Sequence, residues 1–160
     1  MTAALMMRLL ATTSLATLTD RPKAAYRASL SVDTSCLMAV ALREAGYEVY
    51  MELLTRANTL HLSAVSRVEL GIVAHNKNVA GQVDALLAAL TVNIEPFDAA
   101  QAALALTAFT KYGRGRHPAA LNFGDCCAYA LAKSMNLPLL YKGNDFAQTD
   151  VASAMSVGTA

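Results

Sequence analysis

The sequence contains few cysteines and no long apolar run, and each shortage excludes a class of protein. The three cysteines (Cys36, Cys126 and Cys127) lack the Cys-x-x-Cys spacing of zinc sites, and their odd number argues against a disulfide framework. No stretch approaches the roughly 18 to 20 apolar residues that a membrane span requires. We therefore expect a soluble protein of the reducing cytoplasm that has no membrane partner.

The chain also has almost no net charge. The formal net charge is +1 over 160 residues, so nucleic acid would have to bind through a local basic patch. Apolar residues make up 55% of the chain, which is enough for one hydrophobic core, whereas 160 residues are too few for two comfortable domains. The composition favours a single globular domain.

Residues 1–28 differ in composition from the rest of the chain. They are basic and rich in hydroxyl-bearing side chains, with Asp20 as their single acid. A targeting peptide has this composition, but so does an unstructured extension, and the apolar stretch at 9–16 is too short for a signal peptide. The sequence predicts a disordered extension at 1–28, one domain at 29–152 and a flexible tail at 153–160.

Short apolar segments alternate with helical patterns from residue 30 onward. The predicted strands are at 30–32, 59–62, 92–94 and 138–141. The predicted helices are at 36–45, 47–58, 64–75, 78–90, 99–111 and 123–135. Because the strands carry no polar face, they are typical of a parallel sheet covered on both sides. We therefore predict an α/β fold.

Several residues are predicted to bound these helices. Ser35 and Ser63 are the predicted N-caps of the first and third helices, and Gly46 is predicted to end the first. Asp98 and Asn122 are the predicted N-caps of the last two helices.

Four acidic residues from distant parts of the sequence stand beside strand or helix ends. Asp33 follows the first strand, Asp145 follows the fourth, and Glu69 and Asp125 lie near helix starts. Ligands of parallel sheets gather at the carboxyl ends of the strands, and Mg²⁺ prefers carboxylate oxygens. Together these acids indicate a metal site suited to phosphodiester cleavage.

Each acid also has a purely structural interpretation. Glu69 lies three residues after Ser66, and Asp125 lies three residues after Asn122, which is the spacing of a capping box. Asp33 and Asp145 are residue types that are common in turns. Spacing alone leaves both interpretations open.

Four segments of the chain resemble the VapC family of PIN-domain toxins. They are VDTS at 32–35, SAVSRVELGIV at 63–73, YGRGRHPAALNFGDCCAYALAK at 112–133 and LLYKGNDFAQTD at 139–150. The last two are the more specific, and the resemblance extends over nearly all of 30–151. It implies a PIN domain at 29–152, a three-layer α/β/α sandwich with a small, mostly parallel sheet.

The resemblance also implies a Mg²⁺-dependent endoribonuclease, with Mn²⁺ as a possible substitute ion. A metal-activated water would cleave RNA. By position, the catalytic and metal-binding acids would be Asp33, Glu69, Asp125 and Asp145, with Asp150 as a further ligand near the rim.

Hydroxyl and basic side chains accompany these acids. Thr34 and Ser35 are capping residues first, although a hydroxyl there can also hold a metal-bound water. A basic loop precedes Asp125, and by composition it is an ordinary solvated loop. The resemblance favours contacts with RNA phosphates from Lys111, Arg114, Arg116 and His117.

The implied protein is the toxin of a type II toxin–antitoxin system. Its partners would be RNA, an antitoxin protein that inserts a basic residue into the acidic pocket, and a second copy in a homodimer. The antitoxin is expected to anchor near Val49, Leu53 and Leu54. The alternative is a catalytically silent PIN-like module that binds RNA or protein. A haloacid-dehalogenase-type phosphatase is excluded because position 35, where it needs a second acid, is serine.

Overall fold

The computed structural model describes residues 28–157 as a sheet surrounded by helices. The strands are β1 (Leu30–Val32), β2 (Leu60–Ser63), β3 (Val92–Glu95) and β4 (Leu139–Leu140). The helices are α1 (Thr34–Leu42), α2 (Tyr47–Arg56), α3 (Ala64–Asn76), α4 (Ala80–Leu90), α5 (Ala99–Tyr112), α6 (Phe123–Met135) and α7 (Ala154–Val157). A 3-10 turn, Phe146–Gln148, follows β4.

All four strands are parallel, in the order β3-β2-β1-β4. The chain builds β1, β2 and β3 in one direction and then returns to place β4 on the other side of β1. The strand order therefore reverses between β1 and β4, which is the switch point where parallel sheets bind ligands. The predicted α/β fold with a parallel sheet is confirmed.

Apolar side chains cover both faces of the sheet around β1 and β4, whereas the edge strand β3 leaves Asn93 and Ile94 exposed. Adjacent residues of β4 point to opposite faces, so Leu139 packs with α5 and α6, whereas Leu140 packs with the other core cluster. That second cluster includes Leu30 of β1, Leu37 of α1 and Leu54 of α2. The two clusters produce the three layers of an α/β/α sandwich.

Two predicted helix boundaries are wrong. Asp33, not Ser35, is the N-cap of α1, because its carboxylate accepts a hydrogen bond from the Ser35 backbone. The same helix ends at Leu42, where Arg43 takes a left-handed conformation with φ of 52°, and not at Gly46. Gly46, with φ of 81°, instead begins α2.

Two other predicted N-caps make their hydrogen bonds, and a third, Ser63, does not. The side chain of Asp98 accepts from the Gln101 backbone at the start of α5, and Asn122 caps α6. Ser63 occupies the N-cap position of α3, but its hydroxyl is buried and makes no hydrogen bond.

The end of the described chain differs from the predicted flexible tail. Ser153 forms a parallel bridge with Leu139, and the fully buried Ala154 begins α7, so the described tail packs against β4. The predicted extension at 1–28, except for its last residue, and the final residues 158–160 lie outside the described residues. Within 28–157 no helix combines the length and apolar character needed to cross a membrane.

Candidate active site

Asp33 is the most enclosed acid of the predicted site. It follows β1 directly, and its backbone nitrogen donates to the Leu140 carbonyl at 2.9 Å, which ties it to β4. Its side chain is only 3% exposed. Burial raises the pKa of the Asp33 carboxyl, hydrogen bonds from Ser35 and Thr34 oppose that rise, and the charge of Asp145 adds to it.

Ser35 links this carboxylate to the loop after β4. The Ser35 hydroxyl donates to Asp33 Oδ2, and the Ser35 backbone nitrogen donates to the same oxygen at 2.9 Å. The hydroxyl also accepts from the backbone nitrogen of Lys142 at 3.0 Å. Ser35 therefore fixes Asp33 relative to the β4 loop, which is a role in the site even though Ser35 is not the helix cap.

Glu69 reaches the site from the second turn of α3. The Thr34 hydroxyl donates to its Oε2 at 3.4 Å. Burial, and then the charge of Asp33, raise the pKa of the Glu69 carboxyl. The capping-box interpretation of Glu69 is wrong, because Ser66 lies inside α3 and its buried hydroxyl makes no hydrogen bond.

Asp125 lies in the first turn of α6 and has two roles. It completes a capping box, since its Oδ2 accepts from the Asn122 backbone at 2.8 Å and its own backbone nitrogen donates to Asn122 Oδ1 at 3.0 Å. Burial, opposed by this hydrogen bond and aided by the charges of Asp33, Asp145 and Glu69, raises the Asp125 pKa to about 6. The capping-box interpretation of Asp125 is confirmed, and its role as an ion ligand stays a prediction.

Asp145 completes the acidic cluster from the loop after β4. It is exposed and lies directly before the 3-10 turn. Its charge raises the pKa values of both Asp33 and Asp125. Asp33, Glu69 and Asp145, from three other segments, thus all lie within electrostatic range of Asp125, and their role as ion ligands stays a prediction.

The donor chemistry of this cluster fits a hard divalent cation. Its ligands are carboxylate oxygens, which Mg²⁺ prefers, and a bound cation would offset both the burial and the repulsion of these charges. Within residues 28–157, no three His, Cys, Asp or Glu side chains already stand in a metal-holding arrangement. The carboxylates would have to move towards one another to share an ion.

Asp150 belongs to a different set of contacts. Its Oδ1 accepts from the Tyr129 hydroxyl at 2.6 Å and lies 3.7 Å from Lys133 Nζ, and its Oδ2 lies 3.3 Å from Lys111 Nζ. The Tyr129 hydrogen bond and the two lysines lower the pKa of Asp150, whereas the pKa values of Asp33, Glu69 and Asp125 are raised. Asp150 is therefore paired with a tyrosine and two lysines, and its role as an ion ligand stays a prediction.

The predicted RNA-binding loop is an ordered structure attached to the start of α6. The Arg114 backbone nitrogen donates to the Leu121 carbonyl at 3.1 Å, and Leu121 in turn donates to the Tyr112 carbonyl at 3.0 Å. These bonds close the loop immediately before Asn122. Arg114 and Arg116 are exposed on the loop, and Arg116 lies over the Phe109 ring.

The other two members of the predicted RNA-binding set have protein partners. His117 packs edge-on against Tyr112, and its Nδ1 accepts from the Ala119 backbone at 3.1 Å. Lys111 pairs with Asp150 and lies 4.7 Å from the centre of the Tyr112 ring. Arg114 and Arg116 are thus the better placed for phosphate contacts.

Sequence reasoning missed an apolar groove beside Glu69. The groove has a volume of about 450 Å³ and lies between α3 and the start of α6. Val68, Ile72 and Phe123 are all more than half exposed along it. Gly124, the neighbour of Phe123, was also missed; a glycine in the first turn of a predicted helix was the signal that could have drawn attention to it.

The chain matches a known family model and is similar to a named ribonuclease. A family model described as the PIN domain matches residues 30–152. Ribonuclease VapC28 of Mycobacterium tuberculosis is 41% identical over 128 residues, which represent 78% of this chain and 96% of the relative.

Two solved structures share the fold. VapC20 of Mycobacterium tuberculosis, described as a toxin that cleaves the sarcin–ricin loop, gives a TM-score of 0.64 at 14% identity over 78% of this chain and 98% of its own. A toxin–antitoxin complex from Klebsiella pneumoniae gives a TM-score of 0.58 at 20% identity over 76% of this chain and 92% of its own. At these identities the likeness supports the fold alone.

Proposed function

This chain belongs to the PIN-domain family, among its VapC ribonucleases, and from that membership we propose that it is a Mg²⁺-dependent endoribonuclease. It acts in the cytoplasm as the toxin of a type II toxin–antitoxin pair. The family match covers residues 30–152, a range that contains all four acids.

The observation that carries the proposal is the convergence of acids from distant segments around Asp125. Burial first, and then the charges of Asp33, Asp145 and Glu69, raise the pKa of Asp125, so the fold holds these carboxylates near one another although their charges repel. Bound Mg²⁺, or Mn²⁺ in its place, supplies the charge that activates water and stabilises the phosphate oxygens during phosphodiester cleavage. The four acids would hold the ion.

The surrounding residues orient these acids and bind the substrate. Ser35 holds the Asp33 carboxylate, and Thr34 holds that of Glu69. Arg114 and Arg116, exposed on the loop that leads into α6, bind RNA backbone phosphates and draw the strand towards Asp125.

A silent PIN-like module remains the second candidate function, and one observation favours it. Asp125 already serves as a helix cap, and no three acidic, cysteine or histidine side chains of the described chain stand ready to hold an ion. Such a module would bind RNA through Arg114 and Arg116 without cutting it.

An RNA-cleavage assay separates the two functions. Purified protein is incubated with RNA in Mg²⁺ or in excess EDTA, beside the variants Asp145→Asn and Asp84→Asn. Both acids are exposed, but Asp84 pairs with Arg67 away from the acidic cluster. We expect cleavage only with Mg²⁺, a loss of about 10- to 100-fold in Asp145→Asn, and wild-type activity in Asp84→Asn. RNA binding without cleavage would assign the silent module instead.

An antitoxin protein is the partner that we propose for the acidic cluster. A basic residue of the antitoxin would pair with these carboxylates and displace the ion. Of the predicted anchors on α2, Val49 is 47% exposed and Leu53 is half-buried, whereas Leu54 is only 2% exposed and belongs to the core. Val49 and Leu53 remain available to a partner, and Leu54 does not.

Co-expression with a candidate antitoxin tests the partner. Reversing the charge of the partner's basic residue should restore RNA cleavage without dissolving the complex. Full inhibition by that variant would show that the restraint works elsewhere.

We also propose that the protein forms a homodimer. Val68, Ile72 and Phe123 expose a contiguous apolar surface beside Glu69, and a second copy would cover it. Phe123→Ser should shift the molar mass measured by light scattering towards that of a monomer. An unchanged mass would exclude this surface as the interface.

A further inference from the structure

Gly124 lies where the two helices that carry Glu69 and Asp125 meet. It is the second residue of α6 and is buried. A Cβ built on Gly124 would stand 2.5 Å from both carboxylate oxygens of Glu69 and 2.7 Å from its Cδ. Real Cβ atoms do not approach other heavy atoms so closely, so any side chain at this position would displace the Glu69 carboxylate.

We propose that Gly124 is a positioning residue, whose missing side chain lets the Glu69 carboxylate lie against the first turn of α6 beside Asp125. The expected effect of Gly124 on catalysis rests on the proposed function, whereas its expected effect on the position of Glu69 does not.

The Glu69 carboxylate is confined by neighbours on two sides. Thr34 contacts Glu69 Oε2 from the start of α1, and Gly124 contacts the carboxylate from α6. The carboxylate therefore lies between two helix starts, where the positive ends of the helix dipoles favour a negative charge. A methyl group at 124 would occupy the α6 side of this space.

Helix propensity gives no reason for glycine at this position. Glycine is less favourable than alanine inside a helix by up to about 1 kcal/mol. Gly81 holds the same second position in α4, and a Cβ there would meet nothing within 4 Å. Gly81 thus provides a matched control in which the same substitution adds a methyl group without a collision.

The test uses the full chain in five forms: wild type, Gly124→Ala, Gly81→Ala, Glu69→Ala and the double variant Glu69→Ala/Gly124→Ala. Crystal structures without metal show where the Glu69 carboxylate lies. Calorimetry with Mg²⁺ alone gives the ion affinity, RNA cleavage gives kcat and KM, and thermal unfolding checks that each variant is folded.

We expect Gly124→Ala to fold, because the atoms that it displaces are the far end of a flexible side chain. Its Glu69 carboxylate should leave the first turn of α6, and Mg²⁺ affinity and kcat should each fall by about 10- to 100-fold. Gly81→Ala should retain wild-type values. In the Glu69→Ala background, Gly124→Ala should cause no further loss, because no carboxylate remains to be displaced.

Three results would overturn the inference: an unmoved Glu69 in Gly124→Ala, wild-type Mg²⁺ affinity and kcat in that variant, or a further loss in the double variant. A wild-type protein that neither binds Mg²⁺ nor cleaves RNA would refute the proposed function. In that case the position of Glu69 in the Gly124→Ala crystal structure would still decide the role of Gly124.

Discussion

At the scale of single residues, the acids of the cluster are held by local bonds and repelled by one another. Asp33 and Asp125 each use Oδ2 in a helix-capping hydrogen bond. Capping stabilises the fold, whereas burial and repulsion raise the pKa values of both groups. A residue can therefore cap a helix and still contribute its charge to an ion site.

Replacing Asp125 by Asn separates these two contributions. The Asn side chain can still accept the hydrogen bond from the Asn122 backbone, but it lacks the charge that an ion needs. We expect Asp125→Asn to remain folded and to lose more RNA cleavage than the roughly 10- to 100-fold that is typical when an outer-shell partner of a metal ligand is removed. The control is Asp98→Asn, which alters the equivalent cap of α5. Wild-type cleavage by Asp125→Asn would remove Asp125 from the catalytic residues.

The raised pKa of Asp125 also predicts how stability depends on pH in the absence of metal. Its carboxyl ionises at about 6 in the folded protein and near 3.8 ordinarily. The folded state therefore binds more protons between these values, and the free energy of unfolding falls as pH rises from about 4 to about 6.

This pH dependence should be weaker in Asp125→Asn. Above about pH 6 the variant should be more stable than the wild type by on the order of 1–2 kcal/mol. Asp33 and Glu69 have pKa values raised in the same direction, so part of the pH dependence should persist. Urea unfolding in EDTA across this range measures it, and identical pH profiles for the two proteins would contradict the prediction.

At the scale of elements, α6 connects two polar clusters. Asp125 in its first turn lies in the acidic cluster, while Tyr129, one turn later, donates to Asp150. Lys111 at the end of α5 reaches the same carboxylate. Asp150 thereby joins the segment after β4 to both helices of this layer.

We predict that Asp150 stabilises this packing and does not bind the ion. Tyr129→Phe removes the hydroxyl bond and should lower the free energy of unfolding by about 1 kcal/mol. Asp150→Asn removes the charge that faces Lys111 and Lys133 and should leave Mg²⁺ affinity unchanged. Denaturant unfolding and calorimetry measure the two effects. A weakened Mg²⁺ affinity in Asp150→Asn would return Asp150 to the metal ligands.

At the scale of the whole molecule, the parallel sheet brings the site together. Asp33 and Asp145 follow β1 and β4, which are neighbours, and α3 begins at the same edge after β2. Helix α6 comes directly before β4 in the chain and crosses the sheet from the carboxyl edge to the edge where β4 begins. Its first turn therefore lies at the carboxyl edge too. The core residues beneath the site, such as Leu30, belong to the described part of the chain.

Removal of residues 1–27 should therefore leave the melting temperature and RNA cleavage unchanged. The buried core and all four acids lie after that segment. Thermal unfolding and cleavage assays on the full and shortened chains compare them directly. A large fall in melting temperature would show that the removed segment packs against the domain.

The sequence alone determined the order of elements, and together with the family resemblance it named four candidate acids, whose role as ligands stays a prediction. The apolar segments at β1 and β4 indicate burial on both sides, and therefore a parallel sheet, although the edge strand β3 leaves Asn93 and Ile94 exposed. Parallel strands end at one edge, so residues such as Asp33 and Asp145 could be assigned to one site without coordinates. The helix caps at Asp98 and Asn122 could also be predicted from the sequence, because their hydrogen bonds span only three residues.

Only the tertiary structure decided which neighbours each side chain has. It separated Asp150 from the acidic cluster by pairing it with Tyr129 and Lys111, contacts that span 21 and 39 residues. It also placed Glu69 against Gly124, 55 residues away along the printed sequence. Such contacts depend on how α3, α5 and α6 pack, and no local pattern in the sequence specifies the distance between atoms on different helices.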